Sequence, residues 1–389
     1  MHFIAHGAVS LIAAASLCSW IYLLFARGNF WRLSTSTWPS TDLALTTAVP
    51  RIAAVIPARN EASFIRSAVE SLRCQNYPGD LRIIVVDDHS TDGTKEVLSR
   101  SSEPPDHSVV VLASQPLPPG WTGKMWALYQ GVQHAMDFNP HYFLFSDADV
   151  IHGRNSLASL VSRAESGKLA LVSALPQLKC STIAERVLLP AFTFYFFMLY
   201  PPTWVRSAKR KTAAAAGGNV LVKSSTLAEI GGIPQFRNEL IDDCALAREI
   251  KKAGAIQLGW TENAISVRNY GGFGAVGNMI SRNAYCQLHH SLLELLGSIA
   301  ALTLVFVAPL ILTFAGGWCS AIAATAWMLM SLVYVPSLKA LSVSTFWAPL
   351  LPFVTLFYIG STIHSAVQYY RGCGGEWKGR IHDFSRSTP

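Results

Sequence analysis

The sequence predicts an α/β fold, a mainly parallel sheet with flanking helices, plus transmembrane helices at both ends. Three observations lead there. From Ile52 onward, short apolar strands alternate with helix-periodic segments. Acidic residues stand where two of those strands should leave the sheet. Long uncharged apolar runs gather near the two ends of the chain.

The ends come first. Of 389 residues, 51% are hydrophobic and 14% charged, against about 25% charged in soluble domains. The deficit lies outside residues 50 to 285. Residues 8–25, "AVSLIAAASLCSWIYLLF", are long enough for a membrane helix. No Lys or Arg precedes them and no clear cleavage site follows, against a signal peptide. Arg27 and Arg32 come next, so the positive-inside rule places the following chain in the cytoplasm. Further apolar runs span 296–315, 319–335 and 346–366. The expected organisation is an anchor at 1–30, a cytosolic domain at 50–290, membrane segments at 291–370 and a basic tail at 371–389. This describes a multi-pass protein of the inner (cytoplasmic) membrane whose central domain faces the cytoplasm.

Three full crossings after that domain would leave the tail outside. Arg371, Lys378, Arg380 and Arg386 argue for the inside. Pro349 and Pro352 make 346–366 readable as a re-entrant or surface-lying hairpin, with three crossings and an external tail as the alternative. Seven scattered Cys with no C-x-x-C fit reduced thiols. The net charge of +7 suits anionic lipid, and no aromatic-basic interleaving points to nucleic acid.

In the middle, a strand (Ile52 to Ile56) stops at Pro57 and a helix runs from about Ala62 to Arg73. "YPGD" turns the chain into a second strand (Leu81 to Val86), which ends at Asp87 and Asp88 before a helix near Asp92. "SVVVLA" is a third strand, "GKMWALYQGVQHAM" a helix and "FLFSDADV" a further strand. Such alternation implies a parallel sheet, and parallel sheets bind ligands beyond the carboxyl ends of their strands.

Asp147 and Asp149 follow the strand Tyr142–Phe145. In extended chain, residues i and i+2 share a side, so both carboxylates can converge on a hard divalent ion. A polar turn capping the next helix uses the same residues. Glu61, Asp87 and Asp88 share the crevice and suit hydrogen bonds from a ribose hydroxyl or a base N–H, while "DDHSTDG" also reads as a capping turn. Lys124, just ahead of a helix, is placed to neutralise phosphate. In "ELIDDCALAREIKKAG" the apolar spacing makes a helix with Asp242 and Asp243 at its N-terminus, where capping or a general base both fit. "GGFGAVG" (271–277) reads as a flexible loop, not a dinucleotide site. Residues 187–211, aromatic then basic, read as a segment dipping into the membrane surface.

The order of these motifs resembles the family 2 glycosyltransferases of the GT-A fold, over roughly residues 50–290. "VIPARNE" looks like their first strand and loop, "VVDDHSTDGT" their nucleotide acid pair, "SDADV" their D-x-D and "IDDCALAREIKKAG" their base helix. "PLPPGWTGKMWALYQG", "RKTAAAAGGNVLV", "LIDDCALA" and "RGCGGEWKGR" are more similar still to the hopanoid-biosynthesis-associated glycosyltransferases. The processive Q-x-x-R-W is reduced to "MISRN", which keeps Arg282 and argues against a polysaccharide synthase.

The resemblance implies a mixed, mainly parallel GT-A sheet and inverting transfer of a sugar from UDP to a hydroxyl of a lipid acceptor. It assigns Asp149 and Asp147 to Mg²⁺ or Mn²⁺, Asp243 with Asp242 to catalysis, and Pro57, Glu61, Asp87, Asp88, Lys124 and Asp147 to the donor. Arg282, Trp377 and Lys378 fall on the acceptor or diphosphate side. A ceramide-like or polyprenyl-phosphate acceptor, or a silent lipid-binding scaffold on the same fold, are the alternatives.

Overall fold

The structure is a computed structural model and describes residues 2–33, 49–99, 108–374 and 378. Among these the chain forms two compact units. One groups residues 49–179, 204–268 and Lys378; the other groups the residues up to Leu33, 180–203 and 269–374. Residues 180–203 and 269–290, expected in the central domain, thus group with the helices near the chain ends, and Lys378 groups with the sheet.

The first unit is built on eight strands: β1 Ile52–Ala58, β2 Leu81–Asp87, β3 Ser108–Ala113, β4 Tyr142–Ser146, β5 Val150–His152, β6 Leu171–Leu178, β7 Asn219–Lys223 and β8 Ile256–Ser266. Their order is β3-β2-β1-β4-β7-β6-β8-β5. The β3-β2-β1-β4 half is parallel. Beyond it β7 runs antiparallel to β4 and β6, β6 and β8 are parallel, and β5 is antiparallel to β8. The sheet is therefore mixed, and the half with βαβ connections is the parallel one.

Both faces of the central strands are covered, so their sequences are continuous apolar runs rather than alternations. Ile52, Ala54 and Ile56 pack with Ile65, Val69 and Leu72 of the helix Ile65–Arg73, and Ala53 and Val55 are equally buried on the other face. Pro57 does not end β1, contrary to expectation. Ile52 N–H donates to Asp80 O on the β2 side, so 53, 55 and 57 turn their N–H groups toward β4. The β4 ladder stops at Val55↔Phe145, so the donor that Pro57 lacks has no partner to miss. The strand continues to Ala58 and carries the loop 59–64 past the sheet edge.

Among the described residues, five segments are long and apolar enough to cross a membrane: 7–25, 183–206, 292–312, 317–340 and 345–370. The second covers most of the segment expected at the membrane surface. A capping box between Thr182 and Glu185 starts a helix at Ile183 that runs to Leu199. Its aromatics pack inward, with Phe194 against Phe30 and Tyr334, and Tyr195 against Phe306 and Tyr358. At 346–366 the chain forms no hairpin: Leu351–Tyr370 is one helix, with Pro352 in its first turn, where a missing N–H costs nothing. The glycine-rich 271–277 opens a helix, Phe273–Ala284. Gly277 is needed there because a Cβ would sit 3.3 Å from the Phe357 ring.

Candidate active site

Beyond the carboxyl ends of β1 and β2, two loops are stitched into one platform. Asn60 N–H donates to Ser90 Oγ, Glu61 N–H to Thr94 Oγ1 and Ala62 N–H to Asp92 Oδ2; Thr91 N–H donates back to Asn60 Oδ1. The polar run "HSTDGT" is therefore used residue by residue to hold the first loop. Burial opposes charge on Asp92, yet its bonds from Thr94 and Ala62 hold its carboxyl below the usual range.

The acids of this platform are deeply buried. Asp88 is fully covered, its Oδ2 lying 3.6 Å from Arg59 Nη1 and its carbonyl accepting from the same group. Asp87 is buried, and its Oδ1 has no partner. Glu61 Oε1 takes both Arg268 Nη2, at 2.6 Å, and Lys378 Nζ, at 2.9 Å. Its other oxygen, Oε2, is buried without a partner. Two buried carboxylate oxygens thus await donors, a costly state unless a ligand supplies them.

Asp147 and Asp149 take separate partners. Val150 N–H donates to Asp147 O, so the chain turns after β4 instead of staying extended, and buried His152 returns to Ser146 across the turn. Burial pushes the His152 imidazole down to about 4, so it stays neutral. Asp147 Oδ1 lies 3.3 Å from Lys124 Nζ. Asp149 Oδ2 accepts from Ser266 Oγ at 2.9 Å and Arg268 Nε at 3.0 Å, brought over by the β5–β8 pairing. Each of the two carboxylates thus carries its own ion pair.

Lys124 stands at the centre of a second cluster. Thr122 caps the helix Gly123–Ala135, which places Lys124 in its first turn. Its ammonium is 3.2 Å from Asp242 Oδ2 as well as near Asp147. Burial opposes that charge, but Asp147, Asp242 and Asp243 hold it well above the ordinary lysine range. Asp242 and Asp243 open the helix Asp242–Ala253 as expected. Asp243 accepts from Gly217 N–H at 2.8 Å and from its neighbour Cys244 N–H at 2.7 Å. Burial and the Asp242 charge push its carboxyl up to about 6, against the pull of Lys124 and those two donors. The backbone must come this close. A Cβ on Gly217 would lie 3.3 Å from both Asp243 Oδ2 and Lys124 Nζ, and one on Gly218 2.9 Å from Val150 Cγ2 and 3.2 Å from Asp147 Oδ2.

Pro57, Lys124, Asp147, Asp242 and Asp243 line one cleft of about 390 Å³, open to solvent. Its remaining wall is apolar, formed by Met125, Leu128, Phe145, Ile233, Phe236 and Leu246. Of the other expected residues, Arg282 is exposed on the helix Phe273–Ala284 of the second unit. Trp377 lies outside the described residues. Arg59, Gly217, Gly218, Ser266 and Arg268 were not anticipated as site residues.

Among the described residues, no three His, Cys, Asp or Glu side chains form a metal cage. Mg²⁺ and Mn²⁺ bound to a diphosphate need only one or two carboxylates, the phosphates filling other positions. Asp147 is 38% exposed, and Asp149 has one oxygen outside its two hydrogen bonds. Among the described residues, five carboxylates (Glu61, Asp88, Asp147, Asp149 and Asp242) pair with Arg59, Lys124, Arg268 and Lys378, and Asp87 and Asp243 bring the acids of this network to seven. A diphosphate adds more negative charge, so this donor set fits a divalent cation.

Comparison with known proteins gives the same outline. Residues 53–231 match the family described as Glycosyl transferase family 2. The chain is 27% identical over 210 residues to a probable glycosyltransferase, YdaM, of Bacillus subtilis, covering 52% of this chain and 45% of that protein. It is 34% identical over 156 residues to a 4,4′-diaponeurosporenoate glycosyltransferase of Staphylococcus aureus, covering 40% and 36%. The chain spans less than half the length of these curated relatives. A mannosyltransferase of Pyrobaculum calidifontis, solved with GDP-Man and Mn²⁺, superposes with a TM-score of 0.53 at 20% identity, over 93% of this chain and 99% of that one. The fold is GT-A-like, and residues 53–231 match a glycosyl transferase family 2 domain.

Proposed function

From that domain as premise, we propose that the chain is a membrane-bound inverting glycosyltransferase. It moves a sugar from a UDP-sugar to a hydroxyl of a lipid acceptor, a hopanoid being the class the sequence suggests. One observation carries the reading: a carboxylate raised toward neutrality, Asp243, stands in a cleft whose other wall is apolar.

The acceptor oxygen attacks the anomeric carbon from the face opposite the diphosphate. The bond between that carbon and the diphosphate oxygen breaks, and its electrons leave with UDP. The acceptor proton passes to Asp243, while Asp242 fixes Lys124 beside it. Glu61 Oε2 and Asp87 Oδ1, the buried oxygens without partners, accept from ribose hydroxyls or the base, and Asp88 holds the Arg59 loop. Lys124 faces the diphosphate. A Mg²⁺ or Mn²⁺ held by Asp149 and Asp147 would offset the charge on the departing diphosphate.

A polyprenyl phosphate is a poorer acceptor for this site. Already ionised, it needs no base, and it would meet the excess of carboxylates. A hydroxyl needs the base that Asp243 supplies. The similarity to a diaponeurosporenoate glycosyltransferase supports a lipid-related acceptor. Lipid profiling of a strain lacking the gene tests the reading. A glycolipid should vanish and return with the wild-type gene but not with D243N; its return with D243N, or no change in the profile, defeats it.

Connectivity supports a reading of the membrane topology. The chain leaves the sheet-bearing unit after Lys179 and is back at Trp204; it leaves again after Arg268 and is back at Lys378. Both excursions return to the same unit, so on this reading each makes an even number of crossings: the helix Ile183–Leu199 does not cross, nor does one of the segments 292–312, 317–340 and 345–370, and the segment after the last helix lies on the side of the domain. Exposed Cys74 and Cys373 report it. In intact cells, variants keeping only one of these thiols should both resist a membrane-impermeant maleimide until lysis. Labelling of Cys373 before lysis would put this segment outside.

A further inference from the structure

We infer that Lys378 is a positioning residue of the donor site: with Arg268 it clamps Glu61 so that Oε2 of that carboxylate is presented to the nucleoside. The inference rests on the donor role proposed for Glu61 and adds a residue from far along the chain. Lys378 touches the loop after β1 three times. Its ammonium lies 2.9 Å from Glu61 Oε1 and donates to Asn60 O at 3.2 Å, and its own carbonyl accepts from Arg59 Nε at 3.0 Å.

Charge explains why a second cation is needed. Arg268 bridges two carboxylates that are both more than nine-tenths buried, Glu61 and Asp149. One guanidinium cannot neutralise both, and an uncompensated buried carboxylate is strongly unfavourable. Lys378 supplies the missing charge. Geometry explains what the clamp achieves. Both cations fall on the same oxygen, Oε1, which leaves Oε2 buried, fixed in direction and without a partner. A glutamate held in this way has already given up its rotamer freedom before the ligand arrives.

The test uses the full chain in detergent micelles with Mn²⁺ present, and calorimetric titration of UDP. K378M should weaken UDP binding about tenfold or more, the usual effect of losing a charge-assisted hydrogen bond, and K378R should recover most of it. In turnover assays the loss should appear in the donor KM and leave kcat nearly unchanged. E61Q should also weaken UDP binding, and adding K378M to E61Q should cost nothing further, because Lys378 acts through Glu61. If K378M binds UDP like the wild type while E61Q does not, the clamp is wrong and the donor site stands. Additive losses in the double variant also overturn the clamp, since Lys378 would then touch the ligand itself. If E61Q leaves UDP affinity unchanged, the donor role of Glu61 fails, and the clamp with it.

Discussion

Replacing Asp243 by Asn is expected to lower kcat by about 10²- to 10⁴-fold, the usual weight of a general base, with UDP affinity nearly unchanged. The amide keeps the size of the side chain and can still accept from Gly217 or Cys244 N–H, so the helix start should survive. What it cannot do is take a proton. The pH profile supplies a second readout. Burial and Asp242 push the Asp243 carboxyl up to about 6. The base form must be ionised, so kcat/KM should rise as pH increases through about 6 and level off above it. In D243N that rising limb should disappear. A variant that retains most of its turnover would transfer the base role elsewhere, with Asp242 the first suspect.

Removal of divalent cations should have an effect of similar size on donor binding. Among the described residues, seven carboxylates and four Lys or Arg side chains form the network that must receive a diphosphate. Charge stabilisation by a bound divalent ion is worth several kcal/mol, so UDP affinity should fall on the order of a hundredfold or more in EDTA. Calorimetry with labelled UDP, with and without Mn²⁺, measures it directly. Equal affinity in EDTA would sink the assignment of Asp149 and Asp147 to a metal.

Much of this site could be read from the chain because its parts are local. β1, β2 and β4 are unbroken apolar runs, and the residue after each run lands at the ligand edge of a parallel sheet. Asp87, Asp88 and Asp147 were therefore placed by counting alone. Asp242 and Asp243 were placed by the helical spacing of Ala245, Leu246 and Ile250 behind them. What stayed hidden depends on distant pairing. Arg268 is a lone arginine past a strand end, and it meets Asp149 only because β8 pairs with β5 across 119 positions.

The remaining differences have similar causes. The turn after β4 is set by one backbone hydrogen bond and the Ser146–His152 contact, neither visible in the period of the strand. Gly274 and Gly277 look like a loop until Phe357, 80 positions later, closes over the helix they belong to. The six aromatic residues of 187–200 give no sign by themselves whether they face lipid or each other. Their partners at Phe306, Tyr334 and Tyr358 decide it.

The contact between Lys378 and the loop after β1 bears on how the protein is made. A chain emerging from the ribosome can fold its sheet once Arg268 is out, since all eight strands are then available. Glu61 and Asp149 would still share a single cation at that stage. The residue that balances them arrives only after the helices ending at Ala340 and Tyr370 have been synthesised. A nascent sheet domain would therefore hold the loop after β1 loosely until the segment carrying Lys378 has emerged and docked.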